Sequence, residues 1–284
     1  MQTSSFLSIS AHAFHKVAYT EWGDPDNERV LICVHGLTRN GRDFDFLAKA
    51  LAEDYRVVCP DIVGRGHSEW LKVKEDYIYA TYDVDMAALI ARLDVEHVDW
   101  LGTSMGGLIG MLLAALPDTP IRRLIINDIG PFIPKAALER IAQYVGTNPR
   151  FESLADVEAH LRDVHAGFGP LTDKQWGHLT RHSAHKTEDG RYALMYDPAI
   201  ALHFTTAPLE DMDLWAVWDQ IGCPVLLLRG TKSDVLPAEI AEEMRTRGPR
   251  TQLVELPGVG HAPALMAKDQ IDVIRDWLLD TRES

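Results

Sequence analysis

Three stretches of this 284-residue chain carry side chains whose chemistry depends on their meeting in space. Gly102-Thr103-Ser104-Met105-Gly106 follows the apolar run Val98–Leu101 and precedes the helical run Gly107–Leu116. A serine in that G-x-S-x-G setting sits on a sharp strand-to-helix turn. Such a turn strains the backbone, and Cβ atoms two residues to either side would collide across it. The helix that begins beyond Ser104 points its amides at the site, which favours developing negative charge. A serine hydroxyl is a poor nucleophile unless a base takes its proton. The Gly/Pro-rich segment Leu256-Pro257-Gly258-Val259-Gly260-His261-Ala262-Pro263 offers His261 as that base. Leu226-Leu227-Leu228-Arg229-Gly230-Thr231-Lys232-Ser233-Asp234 ends in a carboxylate that could orient the imidazole.

The elements around these residues follow a repeated pattern. Residues 6–22 alternate loosely between apolar and polar and end at a turn signal, so they read as two antiparallel strands. Arg29–His35, Tyr55–Pro60, Val98–Gly102, Ile121–Asn127, Pro224–Arg229 and Thr251–Leu256 are short apolar runs suited to strands covered on both faces. Helical spacing fills the intervals at Asp43–Glu53, Tyr79–Leu93, Met105–Leu116, Ala238–Arg245 and Asp269–Asp280. Strands alternating with helices imply right-handed crossovers and a doubly wound parallel sheet. From Ile133 to Trp218 the alternation stops. That interval holds helical stretches at Ala136–Val145, Leu154–His165 and Asp173–His182, with six of the twelve histidines and Trp176, Trp215 and Trp218. A helical insertion over the strand ends accounts for it.

With Ser104, Asp234 and His261 in that order, each after an expected strand, the chain resembles an α/β-hydrolase-fold protein. The resemblance covers residues 1–132 and 219–284 as the core, with 133–218 in the place of that family's cap. It implies an eight-stranded, mostly parallel sheet. It also implies Ser104 as nucleophile, His261 as general base and then acid, and Asp234 as the group fixing the imidazole. Asp128, in the segment INDIGP, follows the sixth strand, where some relatives place the acid; a turn or hinge role is the other reading. The loop TKSDVLP matches the usual acid position better, so Asp234 is preferred. His35-Gly36-Leu37 resembles the family's oxyanion loop, which implies that the Leu37 and Met105 amides face the oxyanion. His35 reads as a brace of that loop. Asp61-Ile62-Val63-Gly64-Arg65-Gly66-His67-Ser68 resembles a structural turn of the family. Arg39, Phe132, Trp176 and Trp215 are the candidate substrate contacts: the rings as pocket walls or equally as cap anchors, and Arg39 through an anionic substrate group, although a solvated loop arginine is the preferred reading for it.

Composition narrows the partners. Apolar residues make up 46% and charged residues 25%, an ordinary globular balance that argues against a disordered chain. Acidic residues outnumber basic ones 42 to 28, a net charge of −14, which disfavours nucleic acid and anionic lipid. Leu101–Leu116 is too short to span a bilayer, and the N-terminus lacks the pattern of a signal peptide. Cys33, Cys59 and Cys223 sit in apolar runs without C-x-x-C spacing and read as buried thiols, so a cytoplasmic location is expected. No phosphate-cradling glycine loop is present, and no cofactor is expected. His178, His182 and His185 lack a carboxylate at ligand spacing, so no metal is expected either. The partner is then a small-molecule ester, with a homodimer left open.

The expected activity is hydrolysis of a small to medium carboxylic ester through an acyl-enzyme. A lactonase, a thioesterase or a carbon–carbon hydrolase would use the same residues. A receptor that closes its cap on a small ligand is the reading from a different class. Serine at the elbow argues against dehalogenase and epoxide-hydrolase chemistry, which needs a carboxylate nucleophile.

Overall fold

A computed structural model describes residues 1–280; residues 281–284, the end of the expected core segment 219–284, lie outside the described residues. The strands are β1 (Gln2–Ile9), β2 (Phe14–Trp22), β3 (Val30–Val34), β4 (Arg56–Pro60), β5 (Val98–Thr103), β6 (Ile121–Asn127), β7 (Phe132–Ile133), β8 (Ala184–Lys186), β9 (Tyr192–Leu194), β10 (Met212–Asp213), β11 (Val225–Gly230) and β12 (Thr251–Leu256). Eight of them form one sheet in the order β1-β2-β4-β3-β5-β6-β11-β12. Only β2 runs against the rest.

The apolar runs explain why the sheet is buried on both faces. Along β3 every residue is buried, and successive side chains go to opposite sides: Val30, Ile32 and Val34 to one core, Leu31 and Cys33 to the other. The helices α1 (Asp45–Leu51), α2 (Tyr79–Leu93) and α3 (Met105–Ala114) follow the strands as their spacing predicts. Leu47 and Leu51 of α1 share the second core with Ile274, Trp277 and Leu278, whereas Met86, Leu89 and Ile109 of α2 and α3 enter the first. The uncharged segment that falls short of a bilayer span is mostly α3, whose side chains are nearly all buried against the sheet. Among the described residues no helix is long and apolar enough to cross a membrane.

The insertion leaves and re-enters the core at a narrow neck, where β7 pairs antiparallel with β10. Between them lie α4 (Lys135–Ala142), α5 (Leu154–Val164), α6 (Asp173–Ser183), the hairpin β8–β9 and the single-turn α7 (Leu202–Thr205). Capping boxes start two of these helices, Ser153 with Asp156 on α5 and Thr172 with Gln175 on α6. The short α8 (Trp215–Trp218) returns the chain to β11, and α9 (Ala238–Thr246) and α10 (Lys268–Leu279) complete the core. These two-residue strands and single turns were not anticipated, because such short pieces carry no periodic signal.

Candidate active site

Ser104 stands at the tip of β5 with φ 51° and ψ −114°, an uncommon conformation for a residue with a side chain. The neighbouring glycines are required by close approach. A Cβ on Gly102 would lie 2.1 Å from the Gly106 carbonyl oxygen, and one on Gly106 would lie 2.1 Å from that of Val34. Trp100, buried in β5, donates its indole N–H to the Gly106 carbonyl at 3.0 Å and holds the first turn of α3 down on the strand.

Ser104 Oγ is 2.9 Å from His261 Nε2, and His261 Nδ1 is 2.9 Å from Asp128 Oδ2. An ionised carboxylate can only accept, so Nδ1 carries the proton and the Nε2 lone pair faces the serine hydroxyl. Asp128 is fully buried directly beyond β6, and its Oδ1 accepts the Gly230 amide at 2.8 Å. The expectation for Asp234 is therefore corrected. Its carboxylate, 48% exposed, pairs with Arg140 of α4 rather than with the imidazole.

Packing beyond β11 explains the exchange of acids. Gly230 approaches the Val259 and Gly260 carbonyls so closely that a Cβ there would lie 2.5 Å from the first. The chain turns at once through Ser233 N–H to Gly230 O, at 2.9 Å. Val235 and Leu236 are then buried, which leaves Asp234 facing outward.

The loop after β3 brings Gly36 and Leu37 against the elbow. Leu37 and Met105 both line the cavity above Ser104, and neither amide has a hydrogen-bond partner among the described residues. His35 braces this loop as expected. Its Nδ1–H donates to Gly36 O at 2.7 Å, and its Nε2 accepts from the Ile62 amide at 2.9 Å. Complete burial drives its pKa down to about 3, so the ring stays neutral, as that bonding pattern requires. The Asp61–Ser68 turn is structural, with Asp61 accepting from the Gly41 and His67 amides. Arg65 in this turn, fully buried, donates Nε–H to Leu37 O at 2.9 Å and lies over the Tyr77 and Tyr82 rings.

Above Ser104 lies a cavity of about 360 Å³ between core and insertion. Arg39 lines it and is 5% exposed, which corrects the preferred reading of a solvated loop arginine. Phe132, Trp176 and Trp215 do not, and their expected role as pocket walls is corrected. Phe132 belongs to the neck, paired with Asp213. Trp176 packs with Phe151, Val157 and Leu161 inside the insertion, and Trp215 lies under the Arg247 guanidinium. The walls come instead from Ile133, Leu138 and Ile141 at the start of the insertion, and from Tyr79, Phe168 and His165. The apolar stripe of α4 was the one available signal for them, and by itself it reads equally as core.

The core supplies the carboxylate that His178 and His182, both on α6 of the insertion, lacked in the sequence. Asp45 of α1 meets them with ligand atoms within 4.8 Å of one another. Arg42 nevertheless pairs with both Asp45 oxygens, and His178 Nε2 bonds to Arg42 O at 2.9 Å. A guanidinium on the one carboxylate opposes a second cation there. His185, on β8, is exposed and is not among the grouped ligands.

Comparison with known proteins agrees with this architecture. A sequence-family profile described as alpha/beta hydrolase fold matches residues 29–266, and the chain belongs to that family. A curated 3-hydroxybutyrate-oligomer hydrolase of Cupriavidus necator is 47% identical over 273 residues, 93% of each chain. A crystal structure from Rickettsia typhi, of a protein designated only provisionally as a hydrolase, superposes with a TM-score of 0.92 at 38% identity, covering 98% of this chain and 99% of that one. A 2-(acetamidomethylene)succinate hydrolase of Mesorhizobium japonicum is 27% identical over 82% of this chain and 81% of its own. The protein is a hydrolase of the α/β fold.

Proposed function

We propose that the protein is a serine hydrolase that cleaves the ester bonds of short hydroxyacid oligomers of the 3-hydroxybutyrate type. The observation that carries the reading is the hydrogen-bonded chain Asp128–His261–Ser104, opening beneath two unused amides into a mostly apolar cavity. The identity to the oligomer hydrolase, which extends over nearly the whole of both chains, supports the choice of substrate. The cavity volume, at the lower end of small-molecule sites, suits a chain of a few units rather than a polymer strand.

In this mechanism Ser104 Oγ attacks the ester carbonyl carbon as His261 Nε2 takes its proton. Asp128 stabilises the imidazolium through Nδ1–H. The Leu37 and Met105 amides receive the oxyanion, each donor worth about 3–4 kcal/mol to the transition state. The C–O bond then breaks and Nε2 returns the proton to the leaving hydroxyl. Water, deprotonated by the same nitrogen, releases the acyl group from Ser104. Incubation with linear 3-hydroxybutyrate dimer and trimer, followed by chromatography of the acids, tests the reading. Ser104-dependent release of monomer is the expected result. Absence of release from a protein whose Ser104 still reacts with a fluorophosphonate would discard the hydroxyacid substrate and turn attention to lactones and thioesters.

A further inference from the structure

The cavity wall beside His261 includes the turn at residues 165–168. Residues 165–168 pack on the loop that carries the imidazole. Gly260 N–H donates to Gly167 O at 2.8 Å, and a Cβ on Gly167 would lie 2.7 Å from His261 O. His165 lines the cavity from this turn, is 8% exposed, and stacks on Phe168 with ring centroids 4.5 Å apart. Unlike those of His261, its ring nitrogens make no hydrogen bond to another described residue. Burial, with Arg39 nearby, lowers its pKa well below the ordinary histidine value, so the ring is neutral and has one N–H to donate and one lone pair.

Arg39 completes the wall. Its guanidinium carbon lies 5.9 Å from the centre of the Phe168 ring. Nε and Nη2 are anchored on the Asp43 carboxylate, at 2.8 and 2.6 Å, and Nη1 donates to Ser183 Oγ at 2.9 Å. A guanidinium has five N–H donors, so one on each Nη remains after these bonds. The residue is 5% exposed, and it and His165 both pack on Phe168 and both line the cavity. Both residues are at least nine-tenths buried, so a ligand bound in the cavity could accept from these donors. Ile133, Leu138, Ile141 and Leu108, elsewhere on the lining, offer only hydrocarbon.

Direction follows from the proton transfer. His261 hands its proton to the leaving oxygen, so the leaving group must lie along the imidazole, on the side of the 165–168 turn. In a hydroxyacid oligomer the leaving alcohol bears the carboxyl end. We propose that Arg39 and His165 form a subsite for the free carboxylate of the leaving hydroxyacid, so that oligomers are cut one unit from their carboxyl terminus. The assignment rests on the hydroxyacid-ester reading and specifies which end of the substrate the site recognises.

The test compares kcat/KM for the linear 3-hydroxybutyrate dimer with that for its methyl ester, in the wild type and in Arg39→Gln, Arg39→Lys and His165→Phe. The wild type should prefer the free acid by about ten- to a hundredfold, the range for a charge-assisted hydrogen bond. Arg39→Gln should bring that ratio close to one, with Arg39→Lys intermediate and His165→Phe reducing it several-fold. A purely structural role for Arg39 would lower both rates together and leave the ratio unchanged, and that result overturns the proposal. So does a wild-type ratio near one while both dimers are cleaved, which leaves the ester-hydrolase reading standing. If neither dimer is cleaved, the hydroxyacid reading itself fails and the subsite falls with it. Should Arg39→Gln not fold, His165→Phe, whose ring preserves the stacking on Phe168, supports the same ratio measurement.

Discussion

A carboxylate can orient a catalytic imidazole only if it is held still and cannot turn to water. Asp128 meets that requirement: it is fully buried, with one oxygen on the Gly230 amide and the other on His261 Nδ1. Asp234 is half exposed and engaged with Arg140. Asp128→Asn would leave the imidazole in the wrong tautomer, because an amide N–H would face Nδ1, and kcat should fall about 10³–10⁴-fold. Asp234→Asn removes a partly solvated ion pair and should change kcat by less than about threefold, since such pairs contribute at most about 1 kcal/mol. Steady-state kinetics on a chromogenic ester would check both variants. A large loss confined to Asp234→Asn would reverse the assignment. Ser104 and His261 were legible because each lies in a short string whose glycines and prolines are themselves a local signal. The acid was ambiguous because Asp128 and Asp234 both follow strands. What separates them is the crowding at Gly230, a contact between segments distant in sequence.

At the level of elements, the parallel sheet was readable in outline because a strand covered on both faces must be largely apolar, as β3 is along its whole length and β11 is from Val225 to Leu228. The insertion was legible as helices but not as a surface. Trp176 and Trp215 have the size expected of pocket walls, yet packing uses them as anchors, while smaller Ile133 and Ile141 face the cavity. Two core loops hold this element in place. Asn40 Nδ2–H donates to His182 O at 2.7 Å, and the Gly66 amide to Met195 O at 2.8 Å. The strongest tether is Asp197, 3% exposed, which accepts from Tyr77 Oη–H at 2.8 Å and from Lys74 Nζ. It also accepts from Ala199 N–H at 3.0 Å, starting the turn that leads into α7. Asp197→Ala leaves the buried Tyr77 O–H without its acceptor and removes the partner of a part-exposed ammonium, a loss of about 1–3 kcal/mol. That loss should fall mainly on the insertion, so limited proteolysis should nick residues 134–218 faster than in the wild type while the core fragment persists. Identical cleavage rates would mean that the apolar cavity walls, rather than this tether, hold the insertion closed.

Across the whole molecule, stability reflects how an acidic chain houses its carboxylates. Most are exposed or paired; Asp99, fully buried, is matched by Arg122, Arg123 and the Tyr55 hydroxyl. Asp83 on α2 is an exception. Its Oδ1 is buried without a partner, and burial raises its pKa from 3.8 to about 7. The unfolded chain therefore releases this proton near pH 4, whereas the folded chain keeps it to near neutrality. Between those values the unfolded state binds fewer protons, so stability falls as pH rises and the loss is complete above about pH 7. The side chain is partly solvated, which reduces the full shift to about 1–2 kcal/mol. Asp83→Asn cannot ionise. Its unfolding free energy should thus decline less between pH 4.5 and 7.5 than that of the wild type, by that amount. Urea denaturation of both proteins across this range separates the pH slope from any constant difference due to the amide. Parallel curves would show that Asp83 ionises in the folded protein as readily as in the unfolded chain, with water reaching Oδ1. Diverging curves would identify one carboxylate as a stability cost that this −14 molecule carries at neutral pH.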